Sequence, residues 1–177
     1  TCALPIFVFY KVFQYYNFPY PLDHFQLHGC KAIADNENIL VTAHTGSGKT
    51  VLALYGIARA LSEGKKVIYT SPIKTLSNQK YAEFSSQLFG SDSNFTGKTI
   101  GIMTGDIKIN PVGDLLIMTA EILRNSLLKK QDEEIYEWTF NPNDVGCVVL
   151  DEVHFINNPE RGKVWEEIII NLPKTPT

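Results

Sequence analysis

The chain has 177 residues, enough to bury one hydrophobic core and short for two. Hydrophobic residues make up 44% and charged residues 20%, an ordinary globular balance that argues against both disorder and a membrane protein. A net charge of -3 gives no general attraction to a polyanion, so any nucleic-acid contact has to be local, built from backbone amides and a few side chains.

In chain order, the apolar opening at residues 3–10 is too short to span a bilayer and lacks the basic start and cleavage site of a signal peptide. Residues 1–6 (TCALPI) read as an adapter or cloning scar, which leaves residues 1–17 as an N-terminal segment and residues 18–177 as one folded domain. From residue 38 a short β-branched run, a turn and a longer stretch of helical spacing alternate, the pattern of a parallel α/β fold. Residues 39–43 are the first strand candidate; Val51, Leu54, Ala58 and Leu61 then fall on one helix face until Gly64. Residues 66–70 form a second strand candidate cut by Pro72, and a helix with Tyr81, Phe84 and Leu88 on one face runs to Gly90.

Residues 99–103 and 115–118 are further strand candidates, and the helix after Thr119 has Glu121 in its first turn and Lys129 and Lys130 at its end, as the macrodipole prefers. Residues 131–144 are polar and acidic and read as an exposed connection. Residues 145–150 are apolar throughout, as expected of a central parallel strand. Asn158 can cap and Pro159 can start a last helix, with Val164, Trp165, Ile168 and Leu172 on its inner face. Cys2, Cys30 and Cys147 show no metal or disulfide spacing and read as reduced thiols, Cys147 as buried. His24 and His28 lack the Glu and third ligand of a zinc site, and the Asn94 sequon has no supporting sign of secretion.

Two motifs carry chemistry. Residues 43–50 (AHTGSGKT) follow a strand candidate and open a helix, the context of a phosphate-binding loop. Gly46 and Gly48 let the backbone approach phosphates, the successive amides of Thr45, Gly46, Ser47, Gly48, Lys49 and Thr50 can face them, Lys49 can reach the β and γ phosphates of ATP, and Thr50 suits Mg²⁺. Asp151-Glu152-Val153-His154 ends the last apolar strand candidate, at the carboxyl edge where such sheets bind ligands. There Asp151 can hold Mg²⁺ through water, and Glu152 can orient and deprotonate a water attacking the γ phosphate. An acidic pair alone is more often a solvated strand end; the loop 102 residues upstream (151 minus 49) tips the reading toward an ATP site on one sheet edge.

Seven segments in order, Gln26, AHTGSGKT, TSPIKTLSNQKY at 70–81, TGDIKINP at 104–111, MTAEILR at 118–124, DEVH and ERGKVWEE at 160–167, resemble the DExH-box RNA helicases of the superkiller and exosome-cofactor family. The resemblance runs from about residue 18 to 173. It implies a RecA-like parallel sheet between helices and ATP-driven 3′-to-5′ RNA unwinding, with ATP and Mg²⁺ as cofactors. Tyr20 falls where the family stacks on adenine, Gln26 where it reads the adenine edge, and His154 where the ATP site is coupled to a second motor domain. Single-stranded RNA with a 3′ tail is expected at Ser71, Pro72, Lys74, Asn78, Gly105, Asp106, Thr119 and Arg124. The RNA exosome and its adaptors are the expected partners, reached through other domains, in the nucleus or cytoplasm and without a membrane.

Three departures stand out. Gly46-Ser47 replaces the usual Ser-Ala, and residues 131–144 are longer than the family's connection. The sequence also contains no Ser-Ala-Thr motif or second motor domain, so the chain reads as a first motor domain alone, without the arginine fingers that contribute about a thousandfold or more in related phosphoryl-transfer sites. Such a domain is expected to turn over ATP very slowly. The rival readings are a DNA helicase and a short module that holds ATP or RNA without hydrolysis.

Overall fold

Nearly every strand of this chain finds its neighbours in parallel. The computed structural model describes residues 14–90, 95–128 and 141–172, and the polypeptide divides into two units, Thr1–Glu63 and Gly64–Thr177.

The first unit contains α1 (His24–Ala34) and α2 (Thr50–Ser62). They pack closely because Gly29 of α1 has no side chain: a Cβ there would meet Leu52 of α2 at 2.6 Å. Cys30 and Leu27 of α1 are buried, as are Val51, Leu54, Ala58 and Leu61 on the expected face of α2. Burial pushes the Cys30 thiol up to about 12, so it stays a neutral packing group. Arg59 of α2 fastens the end of α1, donating to the Ile33 carbonyl and the Asn36 side chain while pairing with Glu63 at 2.9 Å. The carbonyls at a helix end lack partners within the helix, and Ile33 finds one in this guanidinium.

Residues 39–43 are not a strand. Residues 37–44 have no regular secondary structure, and Ile39 and Leu40 are 37% and 76% exposed. A β-branched run becomes a strand only when another edge supplies ladder partners, and none pairs with it among the described residues.

The second unit is built on a five-stranded sheet of order β3-β2-β4-β1-β5. Its strands are β1 (Lys66–Ser71), β2 (Ile100–Met103), β3 (Lys108–Ile109), β4 (Leu115–Thr119) and β5 (Val145–Leu150). β1 pairs in parallel with β4 and β5, β4 in parallel with β2, and only β3 runs antiparallel, folding back on β2. Adjacent residues of β1 point to opposite faces. Tyr69 meets Phe84 of α3 (Lys74–Phe89) edge-on at 5.1 Å. On the other face Ile68, Leu116 and Met118 form a core with Ala120 and Leu123 of α4 (Ala120–Leu128) and Trp165 and Ile168 of α5 (Gly162–Asn171). Helices therefore cover both faces of a mostly parallel sheet.

Several boundaries differ from expectation. β5 lies at the sheet edge and is half-buried along its length, Cys147 included, instead of being central. β3 is an additional strand of two residues. α5 begins at Gly162, after a turn in which Asn158 Oδ1 accepts from the amides of Glu160 and Arg161 at 3.0 and 3.1 Å, so Asn158 caps a turn and Pro159 lies outside the helix. Lys129, Lys130, Cys2, Asn94 and most of residues 131–144 lie outside the described residues. No helix among the described residues is long and apolar enough to cross a membrane.

The β2–β3 hairpin depends on Gly101, where a Cβ would sit 2.0 Å from the Asn110 carbonyl oxygen, a backbone atom that cannot swing away. Gly101→Ala is expected to destabilise the chain by about 1–3 kcal/mol, the usual cost of overpacking, read as a lower midpoint in chemical denaturation with an unchanged slope.

Candidate functional site

In the first unit, the chain turns through residues 43–50 on two left-handed glycines, Gly46 at φ 83° and Gly48 at φ 81°. The Ser47 amide donates to the His44 carbonyl at 3.3 Å, and the Val51 and Leu52 amides to Gly48 and Lys49 at 3.1 and 3.0 Å, which starts α2. Lys49 closes the loop on itself, its Nζ donating to the carbonyls of Ala43 at 2.7 Å and His44 at 3.0 Å. Gln26 braces it from α1: its Nε2 donates to the Gly48 carbonyl at 3.2 Å and its Oε1 accepts the Asp23 amide at 2.9 Å. Gly48 is thus doubly constrained, by its positive φ and because a Cβ would lie 2.5 Å from Gln26 Nε2.

This loop suits a phosphate group. α2 begins without a side-chain cap or an acidic residue in its first turn, leaving its N-terminal dipole uncompensated from within. The Ser47 hydroxyl is buried and finds no hydrogen-bond partner among the described residues. Tyr20, with its ring 6.0 Å from Phe18, is 49% exposed, and Gln26 is buried at 5%. Thr45 is exposed and Thr50 half-buried.

In the second unit, β5 runs out at Asp151, whose amide still donates to Thr70 of β1 at 3.0 Å. Both of its carboxylate oxygens are engaged. Oδ2 accepts the Tyr69 hydroxyl at 2.5 Å, and Oδ1 accepts the Glu152 amide at 2.9 Å. Burial, then the charge of Asp151 and its hydrogen bond, raise the Tyr69 phenol far above its ordinary value, so it remains a donor. Glu152 is left-handed at φ 54°, ψ 40°, and opens a 3-10 turn, Val153–Asn157, in which the Phe155 amide donates to Glu152 at 3.1 Å. Its side chain lies against His154, with Oε2 3.1 Å from Nδ1. The donor set is one of hard oxygens, and no group of three or more His, Cys, Asp or Glu residues is assembled for a metal among the described residues. Hard carboxylate oxygens such as those of Asp151 suit Mg²⁺, which is commonly held by one or two carboxylates together with substrate phosphates and water.

The segments expected to meet RNA follow the carboxyl ends of β1, β2 and β4, on the same sheet edge as Asp151. Lys74, Asn78, Gly105 and Asp106 are exposed. Lys74 pairs with Asp106, and Gly105 lies against the Lys74 side chain, where a Cβ would sit 3.4 Å from Nζ. The Ser71 hydroxyl is buried, 2.7 Å from the Ser77 hydroxyl and donating to the Ile73 carbonyl at 3.2 Å, which leaves its backbone for a ligand. Pro72 and Thr119 are also buried. Arg124 is half-buried and bound to Glu167 of α5, while Arg161 pairs with Glu121 of α4 at 3.1 Å, so two crossed ion pairs tie these helices. Tyr69 escaped sequence reasoning; the only signal was a tyrosine, with its polar tip, directly after the apolar pair Val67-Ile68 of the strand.

A model of DEAD/DEAH box helicases matches residues 23–177. The chain is 46% identical over 157 residues to mRNA transport homolog 4 of Caenorhabditis elegans, covering 89% of this chain and 14% of that protein. It is also 46% identical over 157 residues to Exosome RNA helicase MTR4 of Homo sapiens (89% of this chain, 13% of that protein). Identity to Antiviral helicase SKI2 of Saccharomyces cerevisiae is 44% over 158 residues (89% and 11%). The chain therefore spans 11% to 14% of the length of these relatives. Among solved structures, the Mycobacterium smegmatis helicase Lhr bound to ssDNA and AMP-PNP superposes with a TM-score of 0.63 at 30% identity, over 86% of this chain and 21% of that one. The family model spans most of the chain and the fold is RecA-like, and the chain belongs to the DEAD/DEAH box helicase family.

Proposed function

We propose that residues 18–177 are the first motor domain of an ATP-dependent RNA helicase that moves 3′ to 5′ on single-stranded RNA in exosome-linked processing or decay, in the nucleus or cytoplasm. The phosphate loop carries the reading: a helix N-terminus without an internal acid, two left-handed glycines before it and an unpartnered buried hydroxyl at Ser47 suit a triphosphate. The name of one relative, Exosome RNA helicase MTR4, supports RNA as the polymer and the exosome as the partner.

In this reading the amides of Thr45 to Thr50 hold the phosphates. Lys49 spends two N–H groups on loop carbonyls and keeps its third for a phosphate oxygen. Thr50 in the first unit and Asp151 in the second are each proposed Mg²⁺ ligands, and the ion when bound offsets the negative charge of the phosphates. Glu152 orients the attacking water and takes its proton, His154 holds the Glu152 carboxylate and relays to a second motor domain, and Tyr20 and Gln26 take the adenine. The RNA backbone runs along Pro72, Lys74, Asn78, Gly105, Asp106, Thr119 and Arg124, with Ser71 contributing its main chain. The ssDNA held by the Lhr structure favours a second reading, a DNA helicase. Competition of labelled RNA by unlabelled DNA separates the two: RNA is expected to stay bound.

Lys49→Ala is expected to weaken Mg-ATP binding by about 10- to 100-fold, the loss of a charge-assisted hydrogen bond, and calorimetry giving wild-type affinity would defeat the phosphate-loop assignment. Gln26→Ala should cost less and lower the preference for ATP over GTP; equal losses for both nucleotides would remove its base-reading role. Glu152→Gln, placed in a protein with both motor domains and assayed with RNA, should leave ATP affinity intact and cut hydrolysis by about 100-fold or more. Wild-type turnover there would return the acidic pair to a solvated strand end.

A further inference from the structure

We infer that Tyr69 is the positioning residue of the metal site, holding the Asp151 carboxylate in the orientation in which it meets Mg²⁺; this rests on the ATP-site reading above. The inference starts from the ring. Tyr69 is 2% exposed in β1, between two parallel neighbours, and packs edge-on against Phe84 at 5.1 Å, so its side chain has one place to be. Its hydroxyl donates to Asp151 Oδ2 at 2.5 Å across 82 residues of sequence, while Oδ1 takes the Glu152 amide at 2.9 Å. The backbone beneath is fixed as well, because the Asp151 amide donates to Thr70 at 3.0 Å and the Thr70 hydroxyl to Val149 at 3.1 Å.

A carboxylate oxygen has two lone-pair directions. With one on each oxygen occupied by a fixed donor, the remaining two are aimed, and a ligand water or metal meets an oriented carboxylate. Outer partners of this kind typically change metal affinity by about 10- to 100-fold when removed. Asp151 itself meets the metal or its ligand water in this scheme; Tyr69 acts only through it.

The test is Tyr69→Phe in this chain, which keeps the ring and its packing on Phe84 and deletes the hydroxyl. AMP-PNP binding is measured by calorimetry across a Mg²⁺ titration and again in EDTA, with Asp151→Asn alongside. The Mg²⁺ midpoint is expected to rise about 10-fold in Tyr69→Phe, with affinity in EDTA unchanged. In the double variant the two changes should not add, since both act on one carboxylate. An unmoved midpoint in Tyr69→Phe beside a raised one in Asp151→Asn overturns the role of Tyr69 and leaves the ATP site standing. Unmoved midpoints in both overturn the metal site and this inference with it. Equal loss in Mg²⁺ and in EDTA would show Tyr69 to be merely structural. If Tyr69→Phe fails to fold, fluorotyrosine at position 69 keeps the hydroxyl and alters its donor strength; the Mg²⁺ midpoint should then shift, and a midpoint that stays put overturns the proposal.

Discussion

The parallel pairing of β1 with β4 on one side and β5 on the other is the constraint on which the second unit depends. Parallel strands end on the same side. Ser71, Thr119 and Leu150 therefore deliver the 71–81 segment, the 119–124 segment and the DEVH turn to one edge of the sheet. β1 is the middle of this arrangement, and its ladder continues one residue beyond β5, where the Asp151 amide still donates to Thr70. Tyr69 and Thr70 alternate in direction, so the ring goes to the α3 face while the backbone of the next residue takes Asp151. The strand that leads into the segment expected to meet RNA is thereby bonded, by main chain and side chain, to the carboxylate expected to hold the metal.

Charge is handled sparingly. The chain carries -3 overall, and the two cations among the residues expected to meet RNA, Lys74 and Arg124, each have a carboxylate partner, Asp106 and Glu167. The Lys74 pair is exposed, and such pairs contribute only about 0–1 kcal/mol, so a phosphate can replace Asp106 at little cost. The Arg124 pair is less exposed and belongs to the crossed pairs that hold α4 on α5, a more structural setting. In the proposed reading, affinity for a nucleic-acid backbone on this edge leans on main-chain groups at strand ends, which suits recognition of any sequence.

The main features legible in the sequence were those with a local cause. The helix faces of α2, α3 and α5 followed from spacing, β1, β2 and β4 from short apolar runs with turns beside them, and the phosphate loop from its glycines. The features that escaped depend on distant partners. Residues 39–43 have a strand's composition, but a ladder needs a second edge that composition does not contain. β5 is apolar enough for the middle of a sheet and lies at its edge, because hydrophobicity reports a tendency to be buried and not a position. β3, two residues long, is too short for any period. Asn158-Pro159 suits a turn as well as a helix start, and the turn prevailed. The inward turn of the Ser71 hydroxyl needed Ser77, in the first turn of α3, as its partner. Tyr69 needed Asp151, 82 residues away.

The two adjacent carboxylates of the DEVH turn show how one backbone torsion separates two environments. A non-glycine residue in the left-handed region costs about 1–3 kcal/mol and persists where its neighbours determine it. At Glu152 they do: its amide is held by the Asp151 side chain and its carbonyl by the Phe155 amide, at 2.9 and 3.1 Å. The reversal of direction keeps the chain from continuing as a strand past Asp151 and lets the Glu152 side chain reach His154. Asp151 is left with a buried phenol and a main-chain amide, both fixed, while Glu152 has a side chain 42% exposed and a neighbour in His154 that is itself 68% exposed. An oriented carboxylate beside a freer, wetter one suits the proposed division between metal holding and proton transfer: a metal ligand has to stay where it is, and a general base has to exchange protons with water. Two identical environments could not serve both, and the left-handed turn at Glu152 keeps them apart within consecutive residues.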